Sequence, residues 1–157
     1  MKRKMIIRII AILGISGFIA GAAIVLYMLN MPQRDVQAAK TDYSVSSTEI
    51  VTEYLQDKYA ANQKYLASDG NSKILEVSGV VDKISEDFHG QKVVLLKEQG
   101  APAGVSGTFT SDTESSLKGI SVGETVTIKG VIRSGASYDE DLGLYLHVII
   151  EKCALVE

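Results

Sequence analysis

The chain has no tryptophan and only one cysteine, and beyond Lys4 no two basic residues are adjacent. Each scarcity excludes something. A lone Cys153 permits neither an intramolecular disulfide nor a cysteine metal cage, and near the C-terminus it reads as a small buried hydrophobe. Single-stranded nucleic acid is gripped by a basic groove set with stacking aromatics, and this composition provides poorly for both. No cysteine follows the apolar run near the start, so a bacterial lipoprotein attachment site is not expected there.

Charge is unevenly distributed. Residues 1–39 carry Lys2, Arg3, Lys4, Arg8 and Arg34 against Asp35, a net +4, whereas residues 40–157 hold 11 basic and 18 acidic side chains, a net −7. So acidic a body repels phosphate backbones. Within residues 1–39 lies Ile9–Leu29, a run with no charged residue. At about 1.5 Å per residue, roughly 20 such residues as a helix cross a hydrocarbon core of ~30 Å. A run apolar on every face has no solvent side, which argues against a core helix of a soluble protein. The basic flank at residues 1–8 predicts a cytoplasmic N-terminus, a single pass through the cytoplasmic (inner) membrane, and a soluble domain outside, in the periplasm or beyond. The competing reading is a cleaved signal peptide, with release near Ala38, but the apolar run exceeds the 7–15 residues typical of such segments. Gly17 and Gly21 form a GxxxG spacing that can let two helices approach closely.

The expected organisation is a basic flank at 1–8, a transmembrane helix at 9–31 stopped by Pro32, a polar linker at 32–46 and one domain at 47–157. Ser46 and Glu49 form a capping box, opening an amphipathic helix of about 18 residues with Ile50, Tyr54 and Leu66 near one face; Ser68-Asp69-Gly70-Asn71 ends it. From Ile74 the period becomes that of strands: Ile74–Ile84, with Gly79 marking a bulge or bend, then Lys92–Lys97 and Val105–Thr110. A polar stretch with one short helical turn leads to Thr125–Arg133, where Val126, Ile128 and Ile132 alternate with polar residues. Ser134–Asp141 is expected as a hairpin loop, and Leu142, Leu144, Leu146, Val148 and Ile150 as one face of a long last strand. Five short strands with a connection between the third and fourth predict a mainly β chain, an OB-fold-like barrel with a leading amphipathic helix and one preceding transmembrane helix.

The order of short motifs carries a resemblance. Tyr54-Leu55, Asp57-Lys58, Ala61-Asn62 and Lys64-Tyr65-Leu66 precede Leu75-Glu76-Val77-Ser78-Gly79-Val80-Val81; Gly104-Val105, Phe109, Gly123–Gly130 and Cys153-Ala154-Leu155-Val156 follow. Over about residues 48–156 this resembles the tRNA_anti-like OB-fold family, many of whose members are envelope proteins and lipoproteins of Bacteroidetes-type bacteria. The resemblance implies the OB-fold and, through the relatives its name evokes, nucleic-acid binding. Two departures stand out: Ser106 where family members commonly carry a cysteine, and a membrane helix in place of a lipid anchor.

Chemistry-bearing residues are sparse. His89 falls in a turn and His147 on the last strand, neither beside a partner in a catalytic motif. Asp139-Glu140-Asp141 lacks the oxygen spacing of a calcium loop and reads as a solvated tip. Lys129-Gly130 is not followed by a helix that could bind phosphate. No cofactor, metal or catalytic group is expected. The candidate ligand face comprises Phe109, Lys129, Arg133, Tyr138 and Tyr145, near the Gln99–Gly104 loop and the Ser134–Asp141 hairpin. The expected function is a membrane-anchored, non-catalytic binding module meeting an envelope protein or glycan, with single-stranded nucleic acid as the alternative.

Overall fold

A computed structural model of the chain describes residues 2–30, 34–68 and 71–156, with side chains of the first helix described at Gly14 and from Gly17 onward. It divides into two compact units, Met1–Arg34 and Asp35–Glu157.

The first unit is a single helix, α1 (Lys2–Leu29). The charge-free run lies wholly within it. Pro32, expected to stop it, lies outside the described residues. Phe18, Ile19, Ile24, Val25, Leu26 and Leu29 are all exposed on it. Among the described residues no helix is long and apolar enough to cross a membrane.

The second unit is a closed barrel with a helical lead-in. Strand β1 (Tyr43–Ser46) runs parallel to β2 (Ile74–Glu86), with Val45 beside Val77. β2 then pairs with β3 (Lys92–Leu96), β3 with β4 (Val105–Phe109), β4 in parallel with β8 (Val148–Leu155), and β8 with β5 (Thr125–Ser134). The circle closes because β5 also pairs with β2, from Ile74 beside Val131 to Val80 beside Thr125. β2 gives residues 74–80 to β5 and residues 81–86 to β3, and its register with β3 shifts between Val81 and Lys83, an irregularity of the kind that bends a strand. Glu114–Leu117 form the short 3-10 turn between β4 and β5. This is the OB-fold order.

The barrel interior follows the alternation of the strands. Leu75, Val77 and Val81, Val94 and Leu96, Val105 and Phe109, and Ile128 and Ile132 are buried in one cluster. Burial of each such side chain contributes about 1.5–3 kcal/mol. Cys153 enters the cluster through an irregularity. Val148 and Ile150 point inward, so strict alternation would bring in Lys152. Instead Lys152 takes φ 54°, the register with β5 shifts, and Cys153 is buried. Its sulfur fits because Gly107 and Gly130 face it: a Cβ at either would lie 3.1 Å or 2.7 Å from Cys153 Sγ.

Three expectations need correction. The amphipathic helix is two helices, α2 (Ser47–Gln56) and α3 (Lys58–Tyr65), divided at Asp57, whose carboxylate accepts from Ala60 N at 2.9 Å and caps the second. The Ser46–Glu49 capping box is present; of the expected helix end, Asp69 and Gly70 lie outside the described residues. Second, the polar stretch at 32–46 packs on the barrel from its described part onward: Val36 is buried with Ile74 and Val131, and β1 belongs to the sheet. Third, Leu142 to Ile150 do not share one strand. β6 (Ser137–Asp139) and β7 (Leu144–Leu146) form a separate two-stranded hairpin, and the last barrel strand begins at Val148. Leu142, Leu144 and Leu146 are exposed, because the strand that carries the latter two pairs outside the barrel.

A candidate ligand cleft under the tyrosine hairpin

The hairpin β6–β7 leaves the barrel after β5. Ser137 pairs with Leu146, Tyr138 with Tyr145 and Asp139 with Leu144. Asp139 Oδ1 accepts from Leu142 N at 3.0 Å, and Gly143 supplies the positive φ of 64° that the turn requires. Directly opposed tyrosines meet with ring centroids 4.9 Å apart and planes at 58°. Such a pair adds about 0.5–1.5 kcal/mol beyond its burial, yet Tyr138 stays 52 % and Tyr145 41 % exposed, so both keep faces for a ligand.

Gly135 seats the base of the hairpin on α2. Its backbone lies against the Tyr54 ring, so close that a Cβ would collide with it. Tyr54 stacks in turn with Tyr65, centroids 6.0 Å apart. The Tyr65 hydroxyl donates to Glu53 Oε2 at 2.9 Å, and Glu53 also takes the Lys64 ammonium at 2.9 Å. The Tyr54 hydroxyl is different: it is buried and has no hydrogen-bond partner. Burial, with the nearby Tyr65 and Glu53, pushes its pKa up to about 12.

Between α3, the end of β5, the hairpin and the start of β8 runs a cleft of about 620 Å³, bordered by Lys58, Asn62, Arg133, Tyr145, Leu146 and His147. A second recess of about 420 Å³ is lined by Tyr54, Leu55, Tyr138 and Ala136, and shares Lys58, Ser137 and Tyr145 with the first. His147 Nδ1 accepts from Gly104 N at 3.0 Å, tying the loop before β4 to the hairpin exit. Its pKa is lowered by burial and then by Lys97, with Asp82 acting in the opposite sense.

The candidate residues read from the sequence separate. Arg133, Tyr138 and Tyr145 gather here. Phe109 does not: it is fully buried in the barrel core. Lys129 does not either, since its ammonium donates to the carbonyls of Gln37 at 3.0 Å and Ala39 at 2.6 Å. Lys58, Asn62 and Tyr54, which the sequence places on the helix and among the motifs of the resemblance but not at a site, also line the cleft or recess, and His147 joins them. No local pattern marks them, because helix and hairpin meet only through the fold. The outer face of β3 and β4, where Val93 opposes Thr108 and Leu95 opposes Ser106, presents neither an aromatic nor a cationic side chain.

The sequence pattern of the tRNA_anti-like family matches residues 1–140. The chain belongs to the tRNA_anti-like family. Among solved structures, this tRNA_anti-like chain is similar to a protein from Klebsiella pneumoniae subsp. pneumoniae MGH 78578 that is provisionally described as a nucleic acid-binding lipoprotein. The likeness has a TM-score of 0.52 at 17% identity and covers 81% of this chain and 100% of that one. At that identity the likeness concerns the fold. No curated protein matches the tRNA_anti-like chain.

Proposed function

We propose that the chain is a membrane-anchored, non-catalytic binding module of the cell envelope, which takes its ligand at the tyrosine hairpin. The observation that carries the reading is the exposed Tyr138–Tyr145 pair beside a cleft of about 620 Å³. Paired rings with a polar and apolar groove next to them form a recognition surface. The anchor rests on the charge-free Ile9–Leu29 run of the sequence and on the basic residues before it. The lipoprotein description of the Klebsiella protein agrees with an envelope setting.

That same description motivates a nucleic-acid reading. The −7 charge of residues 40–157 and the aromatic-free face of β3 and β4 weigh against it. Several cations are also engaged within the fold: Lys64 with Glu53, Lys73 with Asp42 and Lys92 with Glu86.

The test is retention of envelope-extract components on the immobilised full chain, wild type against Tyr138→Ser plus Tyr145→Ser, alongside titration of single-stranded DNA and RNA. A component held by the wild type and lost by the double variant supports the reading. Micromolar oligonucleotide binding at moderate salt, with no envelope component retained, would replace it by the nucleic-acid reading. A reporter fused after Glu157 should be active outside the cytoplasm; cytoplasmic activity would reverse the topology.

A further inference from the structure

We infer that the cleft under the hairpin takes an extended peptide segment bearing an acidic side chain between apolar ones. This rests on the binding reading above and names the ligand class. Charge comes first. Residues 40–157 carry −7, yet among the described residues no aspartate or glutamate lines either the cleft or the adjoining recess, while Lys58 and Arg133 do. A carboxylate-free lining on an acidic body favours an anionic group at this place and disfavours it over most of the remaining surface. Arg133 uses Nε to pair with Glu151 at 2.8 Å. The other arms of its guanidinium meet no protein acceptor among the described residues, which suits a carboxylate.

The second observation is the Tyr54 hydroxyl, buried without a partner on a residue that lines the recess. A buried hydroxyl left without a partner is destabilising, and a ligand group able to reach it would relieve that.

Shape selects the peptide. Among the described residues β7 pairs with β6 alone, so its other edge offers unpaired N–H and C=O groups. Three residues of edge, at about 3.3 Å each, span ~10 Å, enough for a short added strand. Leu66, Leu144, Leu146 and Ile149 border the cleft, and aliphatic walls fit the alternate apolar side chains of a strand better than the hydroxyls of a sugar.

The experiment uses the full chain in detergent micelles and three fluorescein-labelled heptapeptides of alternating valine and threonine, with glutamate, glutamine or lysine at the centre. The glutamate peptide should bind at least ten-fold more tightly than the other two. Lys58→Glu, an exposed change that leaves the core untouched, should remove that preference. Amide exchange at residues 144–146 should slow on binding. Glutamate-independent binding, or binding indifferent to Lys58→Glu, overturns the inference. So does stronger competition by a glycan fragment or an oligonucleotide, or self-association of the chain through β7. If no peptide binds while an envelope component is still retained through Tyr138 and Tyr145, the peptide class falls and the binding module stands. If both fail, both fall.

Discussion

Lys129 and Gln37 hold each other reciprocally: the Lys129 ammonium donates to the Gln37 carbonyl at 3.0 Å, and Gln37 Nε2 donates to the Lys129 carbonyl at 3.3 Å. Gln37 Nε2 also reaches the Lys152 carbonyl at 2.7 Å, next to the bulge that brings Cys153 inside. The segment preceding β1 is thereby a strap fastened across β5 and β8, and a lysine that would otherwise be available to a ligand serves to fasten it.

Lys129→Met keeps the stem and removes the ammonium. Hydrogen bonds to charged groups contribute about 1.5–3 kcal/mol, so the variant should lose roughly that much in denaturant unfolding, and amide exchange across residues 36–42 should quicken. An unchanged melt with unchanged exchange would mean that the strap does not depend on the Lys129 ammonium.

Gly135→Ala sets a methyl group against the Tyr54 ring. Overpacking of this kind costs about 1–3 kcal/mol. In a Tyr54→Leu background the collision partner is smaller, so the added cost should shrink. Equal losses in both backgrounds would place the strain elsewhere than at the hairpin seat.

His147 is held neutral in the fold: burial and then Lys97 lower its pKa from the usual 6.5, against the opposing effect of Asp82. The unfolded chain therefore takes up the proton first. The stability from this group is fully present above about pH 6.5 and declines as pH falls through the lowered folded value. Thermal melts should drop between pH 7.5 and pH 5, as protonated Nδ1 can no longer accept from Gly104 N. His147→Asn retains an acceptor without titrating, so it should show a shallower drop. Equal slopes for the two proteins would remove His147 from the pH response.

The positions of the first four barrel strands were legible in the sequence. The runs from Ile74, Lys92 and Val105 are rich in β-branched and apolar residues, and the run from Thr125 alternates at period two, which is what a half-buried strand imposes locally. Ser46 and Glu49 announced the first helix because a capping box is complete within four residues. The candidate site was legible only at Arg133, Tyr138 and Tyr145. Phe109 was misplaced because an aromatic on a strand looks the same whether it faces core or solvent, and Lys129 because its acceptors lie about ninety positions away.

By itself, then, the sequence determined the acidic body, the charge-free N-terminal helix, the barrel strands and the order of connections that makes an OB-fold, since each depends on neighbouring residues or on counts of them. Only the tertiary structure decided which strands share a sheet. The leucines at 142, 144 and 146 continue the period of Val148 and Ile150, but β7 pairs with β6 while β8 pairs with β4 and β5. Period two records which side of a strand a residue faces and carries nothing about the strand's partner. Pairing across long sequence separations lifted the tyrosine hairpin off the barrel, set Gly135 on Tyr54, and opened the cleft between helix and hairpin.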